Sequence, residues 1–275
     1  MCVNTCKVIS FALAKGGTTK STSTINIGAA LSSHGYKVAI IDNDPQGNLS
    51  TALGHDPKSF KHTLATKMLN VLDDSDGPPI EDCMVKFDAF DMLPSNQKLG
   101  LVEKRLTMES GTSVFSDGAE LPAELVMRKA LEPLKKLYHF ILIDNPPSVG
   151  MLTINAMAAS DSVLMPMESH FLGFEAVKLT LDVIARVKRS LNPNLCVEGI
   201  LLTKFQDRTT LCRSIRKSVF ETYGESLHVF SEPIAYSIKA AEQSLCGLNI
   251  FETDPHGKTA AGYKAAALEV IAHHA

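Results

Sequence analysis

A chain of 275 residues, 45% hydrophobic and 21% charged, holds enough apolar material for a large core in one domain. Its 27 Lys and Arg against 30 Asp and Glu leave a formal net charge of −3, which excludes a global attraction to nucleic acid, so any such contact must come from a local basic patch. The longest apolar runs, such as residues 140–143, are far too short to span a bilayer, and no basic start precedes a long apolar core; a cytoplasmic protein is expected.

In chain order, residues 7–14 form an apolar, β-branched stretch, followed by a Gly/Thr-rich turn to Ser21 and a helical pattern through Ile25, Ala29, Ala30 and Leu31 that ends near Gly35. A second apolar run, 38–41, ends at Asp42-Asn43-Asp44-Pro45, so the first 45 residues read as a βαβ unit with a right-handed crossover. The stretch 107–122 carries Ser110, Gly111, Ser113, Ser116 and Gly118 with little periodicity and reads as an exposed loop, a tolerated insertion being a plainer reading than a lid. Residues 138–143, 162–167 and 197–203 are short apolar runs that fit strands buried on both faces, and helical patterns at 174–189 and 211–223 separate them. The alternation specifies an α/β fold: a doubly wound, mostly parallel sheet with helices on both faces, whose ligands bind at the carboxyl ends of the strands. Six dispersed cysteines, with no CxxC pair and no His at metal-ligand spacing, are expected as reduced thiols, although Cys2 and Cys6 could meet in principle.

The polar motifs fall where that fold puts its ligands. Lys15-Gly16-Gly17-Thr18-Thr19-Lys20-Ser21-Thr22 lies between the first strand and the first helix, where backbone amides and the positive helix end hold phosphate oxygens. Lys20 would neutralise β/γ-phosphate charge, and the Ser21 hydroxyl would reach the Mg²⁺ that bridges those phosphates. Against the pattern G-x-x-x-x-G-K-[ST], Ala14 and Thr19 replace both glycines. The segment instead resembles the lysine-led variant loop K-G-G-x-x-K-[ST] of the ParA/MinD/nitrogenase-iron-protein family of P-loop NTPases. Two further segments strengthen the resemblance: Asp42 to Asn48 is similar to the family's D-x-D-P-Q-G-N, and Ile143-Asp144-Asn145-Pro146-Pro147-Ser148 to its I-D-[TC]-P-P-S. The likeness runs through Met165-Pro166-Met167-Glu168 and Leu201-Leu202-Thr203-Lys204 to the end of the chain, and so describes one ParA-like ATPase domain over 1–275.

The resemblance implies ATP and Mg²⁺ as cofactors. It makes Lys15 the lysine that reaches the partner's nucleotide in an ATP-bound homodimer, Asp44 the residue that positions the attacking water, and Gly16, Gly17, Thr18, Thr19, Lys20, Ser21 and Thr22 the nucleotide cradle. Ser21, Asp44 and Asp144 would serve the metal and its water shell, with Asp42 and Asn48 in support. Thr19 stands where the family usually has Gly, which implies altered nucleotide handling, and Asn145 replaces a small residue. The implied function is DNA partition with slow hydrolysis stimulated by a ParB-like activator; a MinD-like positioning ATPase and a nucleotide-dependent regulator with negligible turnover are the alternatives. Nonspecific DNA contacts would come from Arg213, Arg216 and Lys217 or from Lys178, Arg186, Lys188 and Arg189, each group at helical spacing that equally fits a solvated face. Ile234-Ala235-Tyr236 replaces the family's I-P-R segment, with Tyr236 in the place of the arginine and Lys239 at a second basic position. The segment 260–274 is helical in pattern but poor in basic residues, so no membrane anchor is expected, and Pro and Ser stand where an iron–sulfur relative carries its cluster cysteine.

Overall fold

The computed structural model describes residues 6–112 and 121–274; Cys2 and the 113–120 portion of the expected loop lie outside them. Strand β1 (Lys7–Phe11) leads through the Lys/Gly/Thr loop into helix α1 (Lys20–Ser33), and β2 (Val38–Asp42) into the short α2 (Asn48–Ala52). Helix α3 (Leu64–Leu72), the hairpin of β3 (Val85–Lys86) and β4 (Asp91–Leu93), and helices α4 (Lys98–Thr112) and α5 (Val126–Leu131) precede β5 (Phe140–Asp144). The chain continues through α6 (Met151–Ala159), β6 (Ser162–Glu168), α7 (Leu172–Ser190), β7 (Cys196–Thr203), α8 (Thr210–Tyr223), α9 (Ile238–Cys246), α10 (Ile250–Thr253) and α11 (Lys258–His274).

One seven-stranded sheet runs in the order β3-β4-β2-β5-β1-β6-β7, parallel except for the β3 edge. The mostly parallel α/β sheet expected from the sequence is therefore present. Strands β1 and β2 do not pair directly, because β5 sits between them and pairs with both. In that register Asp42 faces Asp144, and Phe11 faces Asp144 from the other side, so the motifs after three different strands meet at one sheet edge.

Strand periodicity splits the core between two faces. Ile9, Ile40, Phe140 and Leu142 pack with α1 and α11, whereas Val8, Ile41, Ile141 and Ile143 pack with Leu99, Val102 and Leu106 of α4 and Leu152 of α6. Toward the β7 edge, Val163, Met165 and Ile200 bury against Val177 and Ile184 of α7 and Val219 of α8. The first helix is held closely: a Cβ at Gly28 would lie 2.9 Å from Ile40 Cδ1, so a larger residue there would push the tip of the Ile40 side chain aside. Its polar inner face is also satisfied, with Asn26 Oδ1 accepting from Ile250 N at 2.7 Å and Ser23 Oγ 3.2 Å from Tyr263 Oη.

The expected loop at 107–122 is corrected in its first part. Helix α4 continues through Thr112, because Leu99, Val102 and Leu106 form a buried stripe at helical spacing and Arg105 pairs with Glu109 one turn on at 2.7 Å. Ser110 and Gly111 thus lie inside a helix rather than in a loop.

Candidate functional site

The Lys/Gly/Thr loop turns twice through left-handed backbone, at Gly17 (φ 73°) and at Thr19 (φ 61°), before α1 begins at Lys20. Glycine adopts that region freely, whereas a β-branched residue does so at a cost, so Thr19 is a strained position held by its surroundings. The turn folds the Lys20 side chain back over the loop, where its Nζ donates to the Lys15 carbonyl at 3.0 Å. Burial pushes the Lys20 ammonium below its usual pKa, while Asp144 and Asp44 nearby pull it back up.

Residues 16–22 line a cavity of about 400 Å³ together with Asp44, Asn48 and Asn145. Of the residues singled out in the sequence as cradle or catalytic groups, Lys15 and Asp144 do not line it. Lys15 is half-buried at the start of the loop. Asp144 lies behind Ser21, whose side chain hydrogen-bonds to it.

Three carboxylates converge here in different states. Asp42 is fully buried, accepting from Asp44 N at 3.1 Å, Ser50 N at 3.0 Å and Ser50 Oγ at 2.8 Å, and burial pushes it up to about 6 despite those bonds. Asp144 is driven up further, to about 8, by burial and then by Asp42 across the strand pair, with Ser21 and Lys20 opposing. Asp44 is aimed by its own turn: Oδ1 accepts from Gln46 N at 2.9 Å and Oδ2 from Asn48 Nδ2 at 2.8 Å. That turn depends on Gly47 at φ 66°, where a Cβ would meet Pro57 Cγ at 2.5 Å.

The residues present fit a divalent cation. Asp144 Oδ1 is buried with no hydrogen-bond partner, an arrangement that is costly for a carboxylate unless a cation or its bound water takes up the lone pairs. Ser21 and Asp144 supply hard oxygen donors beside Lys20, the donor type Mg²⁺ selects.

Four residues of the site have no role assigned from the sequence. Asn145 Nδ2 donates to Ser10 Oγ at 2.7 Å and to the Phe11 carbonyl at 3.1 Å, and its Oδ1 accepts from Asn43 Nδ2 at 2.9 Å. Asn43 also reaches the Leu152 carbonyl at 3.1 Å, so one buried polar chain joins the ends of β1, β5 and β2 to α6. Ser10, a hydroxyl inside the apolar run Lys7–Phe11, was its signal. At the other side Lys204, itself left-handed at φ 51°, donates to the Gly17 carbonyl at 3.0 Å and pairs with Glu168.

The basic groups on the outer helices are placed unequally. Lys178, Arg186, Lys188 and Arg189 of α7 are exposed. On α8, Arg216 is engaged, donating to the Ser231 carbonyl at 2.9 Å and lying over Phe205 and Phe220, and Lys217 pairs with Glu221. Lys239 pairs with Asp254, and Tyr236 lines the cavity at 54% exposure. No helix among the described residues is long and apolar enough to cross a membrane.

A parallel sheet whose first strand feeds a lysine-bearing loop into a helix N-terminus, with acids at the ends of two neighbouring strands, defines the P-loop nucleotide-binding α/β class. The family model described as an AAA domain matches residues 6–197. An uncharacterized protein of Mycobacterium tuberculosis is 35% identical over 267 residues, covering 96% of this chain and 78% of that one. The chromosome partitioning protein ParA of Caulobacter vibrioides is 32% identical over 275 residues, covering 98% and 96%. Among solved structures, a cobyrinic acid a,c-diamide synthase of Mycobacterium smegmatis with bound ADP and magnesium matches with a TM-score of 0.79 at 30% identity, over 98% of this chain and 95% of that one. The chain belongs to the ParA/MinD family of P-loop ATPases.

Proposed function

We propose that this protein is a partition ATPase, one domain that binds ATP with Mg²⁺, dimerises on it, holds DNA nonspecifically in that state and is released by slow hydrolysis that a ParB-like partner stimulates. The observation that supports the reading is that Lys20 and Asp44 line one cavity at the carboxyl ends of the strands, together with the other residues of the loop 16–22. Near-full-length similarity to a chromosome partitioning protein supports the biological role.

In this reading the amides of residues 16–22 and the Lys20 ammonium bind the phosphates, drawing on the same helix N-terminus that would hold any anion. Asp44, fixed by Gln46 and Asn48, orients the attacking water and accepts its proton. Ser21 and Asp144 would hold Mg²⁺, which neutralises phosphate charge when bound. Lys15, off its own chain's cavity, serves the partner's nucleotide. The exposed cations of α7 form the better DNA face, because those of α8 are partly engaged within the chain.

The strained Thr19 favours a second reading, a nucleotide-dependent regulator with negligible turnover. One experiment separates them: ATP hydrolysis and dimerisation of wild type, Lys15→Gln and Asp44→Ala, with Mg²⁺ and with or without nonspecific DNA. Slow turnover by wild type, an ATP-trapped Asp44→Ala dimer, a monomeric Lys15→Gln and salt-sensitive DNA retention support partition. Nucleotide-dependent dimers without turnover support the regulator, and failure of wild type to bind ATP sinks both.

A further inference from the structure

Lys204 stands at the end of β7 in a backbone region that side chains rarely adopt, φ 51°. Such a conformation persists only where its surroundings enforce it. Here they do: Phe205 N donates to the Ile234 carbonyl and Tyr236 N to the Phe205 carbonyl, each at 2.9 Å, which pins the turn immediately after the lysine. The kink carries the ammonium to the rim of the nucleotide cavity, where it has two partners. One is the Glu168 carboxylate at the end of β6, and the other is the Gly17 carbonyl, 3.0 Å away.

Gly17 is the exposed, left-handed apex of the phosphate loop (φ 73°), and a Cβ there would find nothing within 4 Å, so no neighbouring side chain packs against this position. A trans peptide sets its N–H antiparallel to its C=O, so fixing the Gly17 carbonyl also fixes the Thr18 amide donor. Glu168 restrains the lysine and partly neutralises it, so that it acts as a strut and not as a free counterion.

We propose that Lys204, seated on Glu168, is a positioning residue that clasps the phosphate loop through the Gly17 carbonyl and so sets how tightly nucleotide phosphates are held. This rests on the ATPase reading above. It assigns Lys204 no contact with the reacting atoms. The clasp preorganises binding in ground and transition states alike, so it acts on affinity and residence time, not on the chemical step.

The test uses full-length protein carrying Lys204→Met, Lys204→Arg, Glu168→Gln and the double change Lys204→Met/Glu168→Gln. Dissociation of a fluorescent ATP analogue with Mg²⁺ is followed beside KM and kcat for hydrolysis and melting without nucleotide. Lys204→Met is expected to speed dissociation and raise KM about fivefold with kcat nearly unchanged, as for loss of one half-exposed charged hydrogen bond. Lys204→Arg restores most of the loss. Glu168→Gln gives a smaller effect that disappears in the Lys204→Met background. Unchanged dissociation in Lys204→Met overturns the clasp even if melting drops, as does full additivity of the two changes. Wild type that binds no analogue overturns the ATPase reading itself, and the clasp falls with it.

Discussion

Asn43 donates to Asn145 across 2.9 Å of buried space directly beyond the facing carboxylates Asp42 and Asp144. This single bond ties the loop that carries Asp44 to the loop that follows Asp144, and Asn145 extends it to Ser10 of β1. Asn145→Ala strands the buried Ser10 hydroxyl and leaves the Asn43 amide with only the Leu152 carbonyl as acceptor. We expect a loss of about 1–3 kcal/mol in chemical denaturation and a fall in kcat larger than any rise in KM. Equal stability and kinetics would show that the two loops are positioned independently.

The carboxylates make stability depend on pH and on metal. Folded Asp42 and Asp144 hold protons up to about 6 and about 8, against about 3.9 for an unfolded aspartate. The folded state therefore binds more protons than the unfolded chain, and the stability of the nucleotide-free protein falls as pH rises from about 4 through both values. Asp144→Asn removes the buried charge, so at pH 8 without nucleotide the variant should be more stable by about 1–3 kcal/mol. If Asp144 serves Mg²⁺ as proposed, the order reverses with Mg²⁺ and ATP, because wild type gains ligand stabilisation that the variant lacks. Scanning calorimetry in both conditions checks it; a variant less stable than wild type in both would contradict the buried-charge account.

Gly47 offers a test of the Asp44 turn. Its backbone is left-handed at φ 66°, and a Cβ would stand 2.5 Å from Pro57 Cγ and 2.7 Å from Pro57 Cβ. Gly47→Ala combines strain with a clash against a rigid ring, and about 2–4 kcal/mol of destabilisation is expected. Gly17→Ala, at φ 73° but facing open space, should cost only about 1 kcal/mol. Comparable losses for the two would mean that the Pro57 contact relaxes freely.

The sequence shows the central strands because β1, β2 and β5 are short, mostly apolar runs, buried on both faces and bounded by turn residues. It hides β3 and β4, which are two and three residues long, β4 pairing with β2 and β3 with β4 alone. The far end of α4 was obscured by its Gly and Ser content, which outweighed the Leu99, Val102 and Leu106 stripe. The Lys/Gly/Thr segment 15–22 and the turn 42–48 stand out in the sequence because each is contiguous in the chain. The Lys204 contact with Gly17 spans 187 positions and the Asn43–Asn145 bond 102, so only the strand order brings them together.

Thr19 links the loop's strain to its chemistry. A β-branched residue at φ 61° costs about 1–2 kcal/mol, and its Oγ1 bond to the Thr18 carbonyl at 2.5 Å returns part of that. Glycine relieves the strain but adds about 0.5–1 kcal/mol of chain entropy to the unfolded state. Set against the lost Oγ1 bond and the added entropy, relief of strain leaves Thr19→Gly up to about 0.5 kcal/mol more stable without nucleotide, or up to about 2 °C in melting for a chain of this size. A loop that reaches its bound geometry without strain should also hydrolyse ATP faster, by a fewfold in kcat. Lower melting and slower turnover together would mean that the Thr19 hydroxyl, through Thr18, shapes the loop more than the backbone angle opposes it.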